Sequence, residues 1–409
     1  MYPGTGSYKL EKYRAKYSNA TDSSARARYS KKLHYYLSIE QAGGAKTTKT
    51  KKCKIDPTDT IVSGHGGSNT LIIITAKFEA YKVFPLYYLS TKTDDKTSNR
   101  IKKQNAKFKL EIKTFRELTK HIVDPNISPH YVRWIDDYEC SDIKELLDEC
   151  PKTYFDFLKL DKKASPRLEK LCSNLYKGSP VNADTTYHVM QMEYCNYTCS
   201  DFIKDLSKMP VHEIMTLLDI FFFQIIYTVL KTQEIYPYFG HSDLFMRNIM
   251  GNREKDNCNY YTYKYGTRTY YVPQKLFFPK ITDFGYTTLT EDDYKIFGEK
   301  PTKTRTRDIY NLIYDVYDGS GLGGESLMSL CKDVDAKKAV RSYFSTFFNT
   351  DAIDSLKLES KKNMEWDWSV LEVKKVQQEV GLADPIDLME MYFSKIFSSI
   401  HSEVAMYGK

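Results

Sequence analysis

The sequence predicts an α+β fold of two lobes, a small antiparallel-sheet lobe followed by a larger helical one. Three observations predict it. Residues 60–89 read as strand, glycine turn, strand, strand, and from Val211 onward the apolar spacing is mainly helical. Where the two regions meet, His241-Ser242-Asp243-Leu244-Phe245-Met246-Arg247-Asn248-Ile249 is followed by Ile281-Thr282-Asp283-Phe284-Gly285, which brings two carboxylates and an amide to the junction.

Composition limits the classes of function. A chain of 409 residues can bury a sizeable core. Its hydrophobic fraction of 41% and mean hydropathy of -0.53 describe a soluble globular protein. Residues 1–12 are polar and Tyr-rich, so no secretory signal is expected. The most apolar run, Ile214 to Leu230, contains Thr216, Asp219, Gln224 and Thr228, which suits a buried core helix better than a membrane span. The eight cysteines include no C-x-x-C pair and are expected to be reduced thiols of an intracellular, cytoplasmic protein.

The net charge of +7 is unevenly placed. Residues 1–54 hold 13 Lys/Arg against 3 Asp/Glu, and the rest of the chain is nearly neutral. This basic arm also carries seven tyrosines. Basic residues among aromatics could neutralise phosphates and stack on bases, giving a nucleic-acid or acidic partner. A solubilising or docking extension has the same composition.

In chain order, Tyr29 to Ile39 has helical spacing, and Gly43-Gly44 with the Lys/Thr run to Lys54 reads as a linker. Residues 55–195 form the sheet-rich part. Ile61-Val62 leads into Gly64-His65-Gly66-Gly67-Ser68-Asn69, Leu71 to Thr75 is a β-branched run, and Tyr81 to Leu89 is a further strand. Thr91 to Gln104 is polar and reads as an exposed loop. Phe108, Ile112, Phe115 and Leu118 make a helical stripe. Tyr131 to Ile135 and His188 to Met192 read as strands flanking a charged insertion, about 139–182. Residues 196–409 form the helical part, with a long buried helix over Val211 to Thr232.

The polar groups can be matched to chemistry. Glycines at 64 and 66 would let backbone N–H groups approach phosphate oxygens without a Cβ in the way, although an ordinary hairpin reads the same. Lys82 on its strand projects opposite to Tyr81 and Val83, as a lysine pointing into a cleft would. Glu111, with Glu117 as a rival, is placed to hold it from the next helix.

His241 to Asn248 resembles the protein-kinase catalytic loop H-R-D-L-x-x-x-N, and Asp283-Phe284-Gly285 reproduces its D-F-G. Gly64-x-Gly66-x-x-Asn69 resembles the G-x-G-x-x-G loop, and Ala80-Tyr81-Lys82-Val83 resembles the V-A-I-K strand, 18 positions after Gly64. The resemblance, over about residues 58–320, implies a bilobal protein-kinase-like fold using ATP and Mg²⁺. It implies catalytic roles for Asp243, Lys82 and Asn248, and metal binding by Asn248 and Asp283. Nucleotide contacts would come from Gly64, Gly66, Lys82, Glu111, Met192, Glu193 and Cys195, with Met192 as gatekeeper. The Asp308-bearing segment resembles a helix central to the large lobe.

The sequence also departs from the family. Ser242 replaces the Arg that would receive an activation-loop phosphate, which implies activity without that control. Phe245 stands where a Lys is usual, and Arg247 could stand in for it. Asn248 and Asp283 are 35 positions apart, which predicts an extended hairpin over Asn252 to Pro279. No A-P-E follows. Long hairpins and absent A-P-E resemble the divergent kinases of large DNA viruses. The expected function is an atypical Ser/Thr kinase acting on a protein substrate. A nucleotide-binding pseudokinase scaffold or a small-molecule phosphotransferase are the alternatives.

Overall fold

The computed structural model describes residues 60–66, 70–75, 78–89, 95–140, 183–254, 259–297, 305–319, 326–351 and 383–398. The basic arm, its helix and linker, and most of the insertion lie outside these residues.

The five-stranded sheet has order β1-β2-β3-β5-β4 with every pairing antiparallel. Its strands are β1 (Thr60–Gly66), β2 (Thr70–Thr75), β3 (Ala80–Leu89), β4 (Trp134–Cys140) and β5 (Ala183–Met192). The first three form the expected meander. The glycines, however, are not the turn: β1 runs through them, with Gly64 opposite Ile72, Gly66 opposite Thr70, and a register shift between Val62 and Gly64. A bulge lets a strand re-aim its backbone while staying paired, which a glycine tolerates readily.

The first helix, α1 (Asp95–Leu118), continues into one π-helical turn at Thr119–Val123. It corrects the loop expected over Thr91 to Gln104 from Asp95 onward; residues 91–94 lie outside the described residues. Ile101, 2% exposed, lies seven positions before Phe108, so the buried stripe extends one repeat further than the dense apolar residues suggest. Tyr131 joins Ile281 only by an isolated bridge, and the next strand starts at Trp134 rather than Tyr131. There the Trp134 N–H donates to Thr119 Oγ1.

Beyond β5, the short strand β6 (Tyr197–Thr198) leads into α2 (Cys199–Leu206), whose first turn is closed by a Thr198–Asp201 capping box. Then comes α3 (Val211–Ile235). It is long and apolar enough to cross a membrane, but most of it is buried inside the protein. Ile214, Leu218, Phe222, Phe223, Ile226 and Val229 are all at or near zero exposure, as an all-round apolar helix at the centre of a core should be.

The extended hairpin forms as expected. β7 (Ile249–Arg253) pairs with β10 (Phe277–Ile281), and β8 (Tyr260–Tyr265) with β9 (Arg268–Pro273) between them. Neutral buried groups tie it to α3. His130 Nδ1–H donates to the Pro279 carbonyl at 2.8 Å, its Nε2 accepts from Tyr263 Oη at 2.7 Å, and Gln224 donates to that same oxygen. Helices α4 (Glu291–Phe297), α5 (Arg305–Asp318) and α6 (Val334–Phe344), with a single helical turn at Leu327–Leu330 and a helical stretch over 385–397, complete the described helical part. One cysteine differs from the all-thiol expectation: Cys140 is disulfide-bonded. Cys195, Cys199 and Cys331 are free and buried.

Candidate functional site

Lys82 lies in the middle of β3, opposite Ile72 on one side and Met190 on the other. The alternation of the strand turns it away from Tyr81 and Val83 and into the interior, where it is 4% exposed. A buried ammonium needs partners. Its Nζ donates to Glu111 Oε1 at 2.5 Å and to Asp283 Oδ1 at 2.9 Å. Three elements distant in sequence are thereby joined. The rival Glu117 is used elsewhere, accepting from Tyr236 Oη at 3.1 Å.

The segment from Phe239 to Asn248 is held by its neighbours. Asp308 on α5 is fully buried and accepts the backbone N–H groups of His241, at 2.7 Å, and Ser242, at 2.9 Å. Asp315, two turns on, accepts the N–H of Met246 at 2.8 Å. Ser242 adopts a left-handed backbone, φ 63°, and so does Asp283, φ 62°. Non-glycine residues in that region cost on the order of 1–2 kcal/mol, and such strain concentrates at functional sites. The Asp308 clamp offsets it at Ser242. His241 donates from Nε2 to the Thr282 carbonyl at 3.0 Å and sets its ring edge-on to Phe284, so it packs against the turn at Asp283.

Asp243 is bracketed by two donors. Asn248 Nδ2 donates to Asp243 Oδ2 at 2.8 Å and to the Asp243 backbone carbonyl at 2.7 Å, which leaves the amide oxygen of Asn248 as the group able to bind a cation. Arg247 donates to Asp243 Oδ1 at 2.5 Å, and its guanidinium lies 4.5 Å from the ring centroid of Phe245.

These groups open onto one cavity of about 910 Å³, a size suited to a small ligand or cofactor. Lys82, Glu111, Asp243, Asn248 and Asp283 line it, together with Met192, Glu193, Tyr194 and Cys195. Ile72, Ile74, Ala80, Val132 and Met250 add apolar walls. Glu193 spends its N–H on the Arg133 carbonyl at 2.9 Å, and its carboxylate pairs with Lys280 at 2.9 Å. Its carbonyl and the backbone of Tyr194 and Cys195 make no hydrogen bond among the described residues. That edge can serve an incoming ring. Burial pushes the Cys195 thiol up to about 12, which keeps it protonated.

The two aspartates are driven apart electrostatically. Burial would raise Asp283, but the Lys82 ammonium overrides it and holds the carboxyl below its usual range. Burial raises Asp243 above its usual range against the opposing pull of Arg247. One carboxylate stays ionised while its neighbour becomes the better proton acceptor. Burial alone would lower Lys82, yet Glu111 and Asp283 together hold it above its normal value.

Of the residues singled out from sequence, Lys82, Glu111, Met192, Glu193, Cys195, Asp243, Asn248 and Asp283 all meet at this cavity. Gly64 and Gly66 are placed in β1, next to β2. Sequence reading missed the apolar walls and the Lys280–Glu193 pair. The alternation of Ile72 and Ile74 on β2 was the available signal for the walls; Lys280 carries none.

The order of motifs and the shared cavity agree with the resemblance to divergent protein kinases. Among known proteins, it is similar to one from Acanthamoeba polyphaga mimivirus that bears the name "putative serine/threonine-protein kinase". The two are 28% identical over 290 residues, which is 62% of this chain and 69% of the mimivirus protein. That similarity bears out the resemblance to the divergent kinases of large DNA viruses. No family model matches the chain.

Proposed function

We propose that this chain is an atypical, bilobal Ser/Thr protein kinase. The five-stranded sheet with α1 would be the small lobe, and α2 through α6 with the hairpin the large one. The observation that carries the reading is the bridge from Lys82 to both Glu111 and Asp283, facing the same cavity as Asp243 and Asn248.

The donor set fits Mg-ATP. Asp283 and the amide oxygen of Asn248 are hard oxygen ligands of the kind Mg²⁺ takes, and Lys82 is a fixed cation beside them. Bound Mg-ATP would supply the phosphoryl group and neutralise part of its charge. The chain's own work is positioning. Lys82, held by Glu111, would orient phosphate oxygens, and the apolar walls with the 193–195 edge would take a base. Gly64 and Gly66 would cover the phosphates. Asp243 would orient an acceptor hydroxyl and take its proton, and Arg247 would supply a cation there in place of the usual Lys. With Ser242 in place of the phosphate-receiving Arg, activity would not wait on activation-loop phosphorylation.

A pseudokinase is the second reading, favoured by Phe245 and the absence of A-P-E. Labelled ATP with Mg²⁺, alone and with generic acidic or basic proteins, separates the two. Transfer to protein that disappears in Asp283→Ala supports the enzyme. Thermal stabilisation by nucleotide without transfer supports the scaffold, and neither response sinks both.

A further inference from the structure

One face of α1 runs through the cavity. Arg100, Lys103, Gln104, Lys107 and Glu111 all line it, at the spacings that stack helical side chains in a row. The inner end of the row is Glu111, buried against Lys82. The outer part is cationic, and exposure rises along it: Lys107 is half-buried, whereas Lys103 and Arg100 are exposed.

Every carboxylate described on the cavity wall already faces a cation. Glu111 and Asp283 share Lys82, Asp243 has Arg247, and Glu193 has Lys280. Arg100 and Lys103 form no ion pair among the described residues. Lys107 sets its ammonium 4.2 Å from the ring centroid of Tyr286, the residue after Gly285 and itself 46% exposed. The uncompensated charge among the described cavity residues is therefore that of Arg100 and Lys103, on one wall.

This charge is displaced from the nucleotide's own cation. At about 1.5 Å of rise per residue, the backbone at Lys103 and Arg100 stands roughly 12 and 16 Å along the helix from Glu111. The row leads from Lys82 toward solvent, where an acceptor chain would enter to reach Asp243.

We propose that Arg100 and Lys103 select acidic protein segments, in which Asp, Glu or phosphorylated residues flank the acceptor hydroxyl. This rests on the phosphotransferase reading and names its substrate class. Opposite charges in a row steer and register a partner even where each exposed pair is weak.

The test uses the full chain with Mg-ATP and two peptides of equal length, a serine flanked by Asp/Glu or by neutral residues. Wild type should favour the acidic peptide by about tenfold in kcat/KM, and R100E/K103E should abolish or invert that preference with the KM for ATP held. Equal use of both peptides by wild type overturns the proposal. So does a KM for ATP that rises with the double reversal, which would give the row to the nucleotide. No transfer to either peptide is the failure of the phosphotransferase reading instead. Binding of the labelled acidic peptide, read by fluorescence anisotropy, then decides: the same affinity in wild type and R100E/K103E overturns the selection. Both residues are exposed, and circular dichroism verifies that the variant folds.

Discussion

Lys82 is buried at the meeting of two carboxylates, so its contribution cannot be separated from theirs. Replacing it by Met leaves Glu111 buried without a cation, and removing one partner of a buried pair costs about 3–5 kcal/mol. Chemical denaturation of Lys82→Met should read a loss of that order, and Lys82→Met/Glu111→Leu should recover a good part of it. Additive losses would contradict the buried pair. Arg247 lowers Asp243 against the upward push of burial. In Arg247→Ala the acid limb of the kcat/KM pH profile should therefore move to higher pH, with lower activity below neutrality. An unmoved limb would separate Arg247 from Asp243. That Lys82 and Asp243 matter was legible from their motifs. What Arg247 touches was not, because stacking on Phe245 depends on the backbone turn at Met246–Asn248.

At the scale of elements, two buried groups oppose each other in their response to acid. His130, between the hairpin and α3, is lowered by burial from 6.5 to about 3. Its unfolded form binds the proton first, so its contribution is complete above about pH 6.5 and is lost as pH falls toward 3. Asp219 on α3 accepts from Tyr343 and Tyr392, both at 2.8 Å, and burial raises it from 3.8 to about 6. Its folded form holds the proton longer, so its contribution is complete below about pH 3.8 and lost as pH rises through 6. Between pH 4 and 6 the two partly cancel. Thermal melts of Asp219→Asn across that window should show a steeper loss on acidification than wild type, and those of His130→Gln a shallower one. Parallel curves for all three would contradict the assignment. The meander and the stripe of α1 were readable because apolar periodicity marks each one, and the extended hairpin because Asn248 and Asp283 lie 35 positions apart. The first ten residues of α1 were not, since a single isoleucine carries their buried face. The turn position in β1–β2 was also hidden, because a bulge lets the strand continue through glycines that look like its end.

At the scale of the whole molecule, the sheet supplies Lys82 and the 193–195 edge, α1 supplies Glu111, and the helical part supplies Asp243, Asn248 and the buried aspartates that hold their loop. Asp308 and Asp315 show how the absence of A-P-E can coexist with an ordered loop: the loop's backbone is fixed from α5, and from Thr287 and Thr288 just after Gly285. The proposed division of labour has Lys82, Asn248 and Asp283 hold the nucleotide and Asp243 act on the acceptor. Single-turnover transfer from Mg-ATP by wild type and Asp243→Asn, with nucleotide affinity measured on the same samples, tests it most directly. The variant should bind nucleotide within about threefold of wild type while transfer falls by about 10²- to 10⁴-fold. Transfer at the wild-type rate in Asp243→Asn would contradict the account.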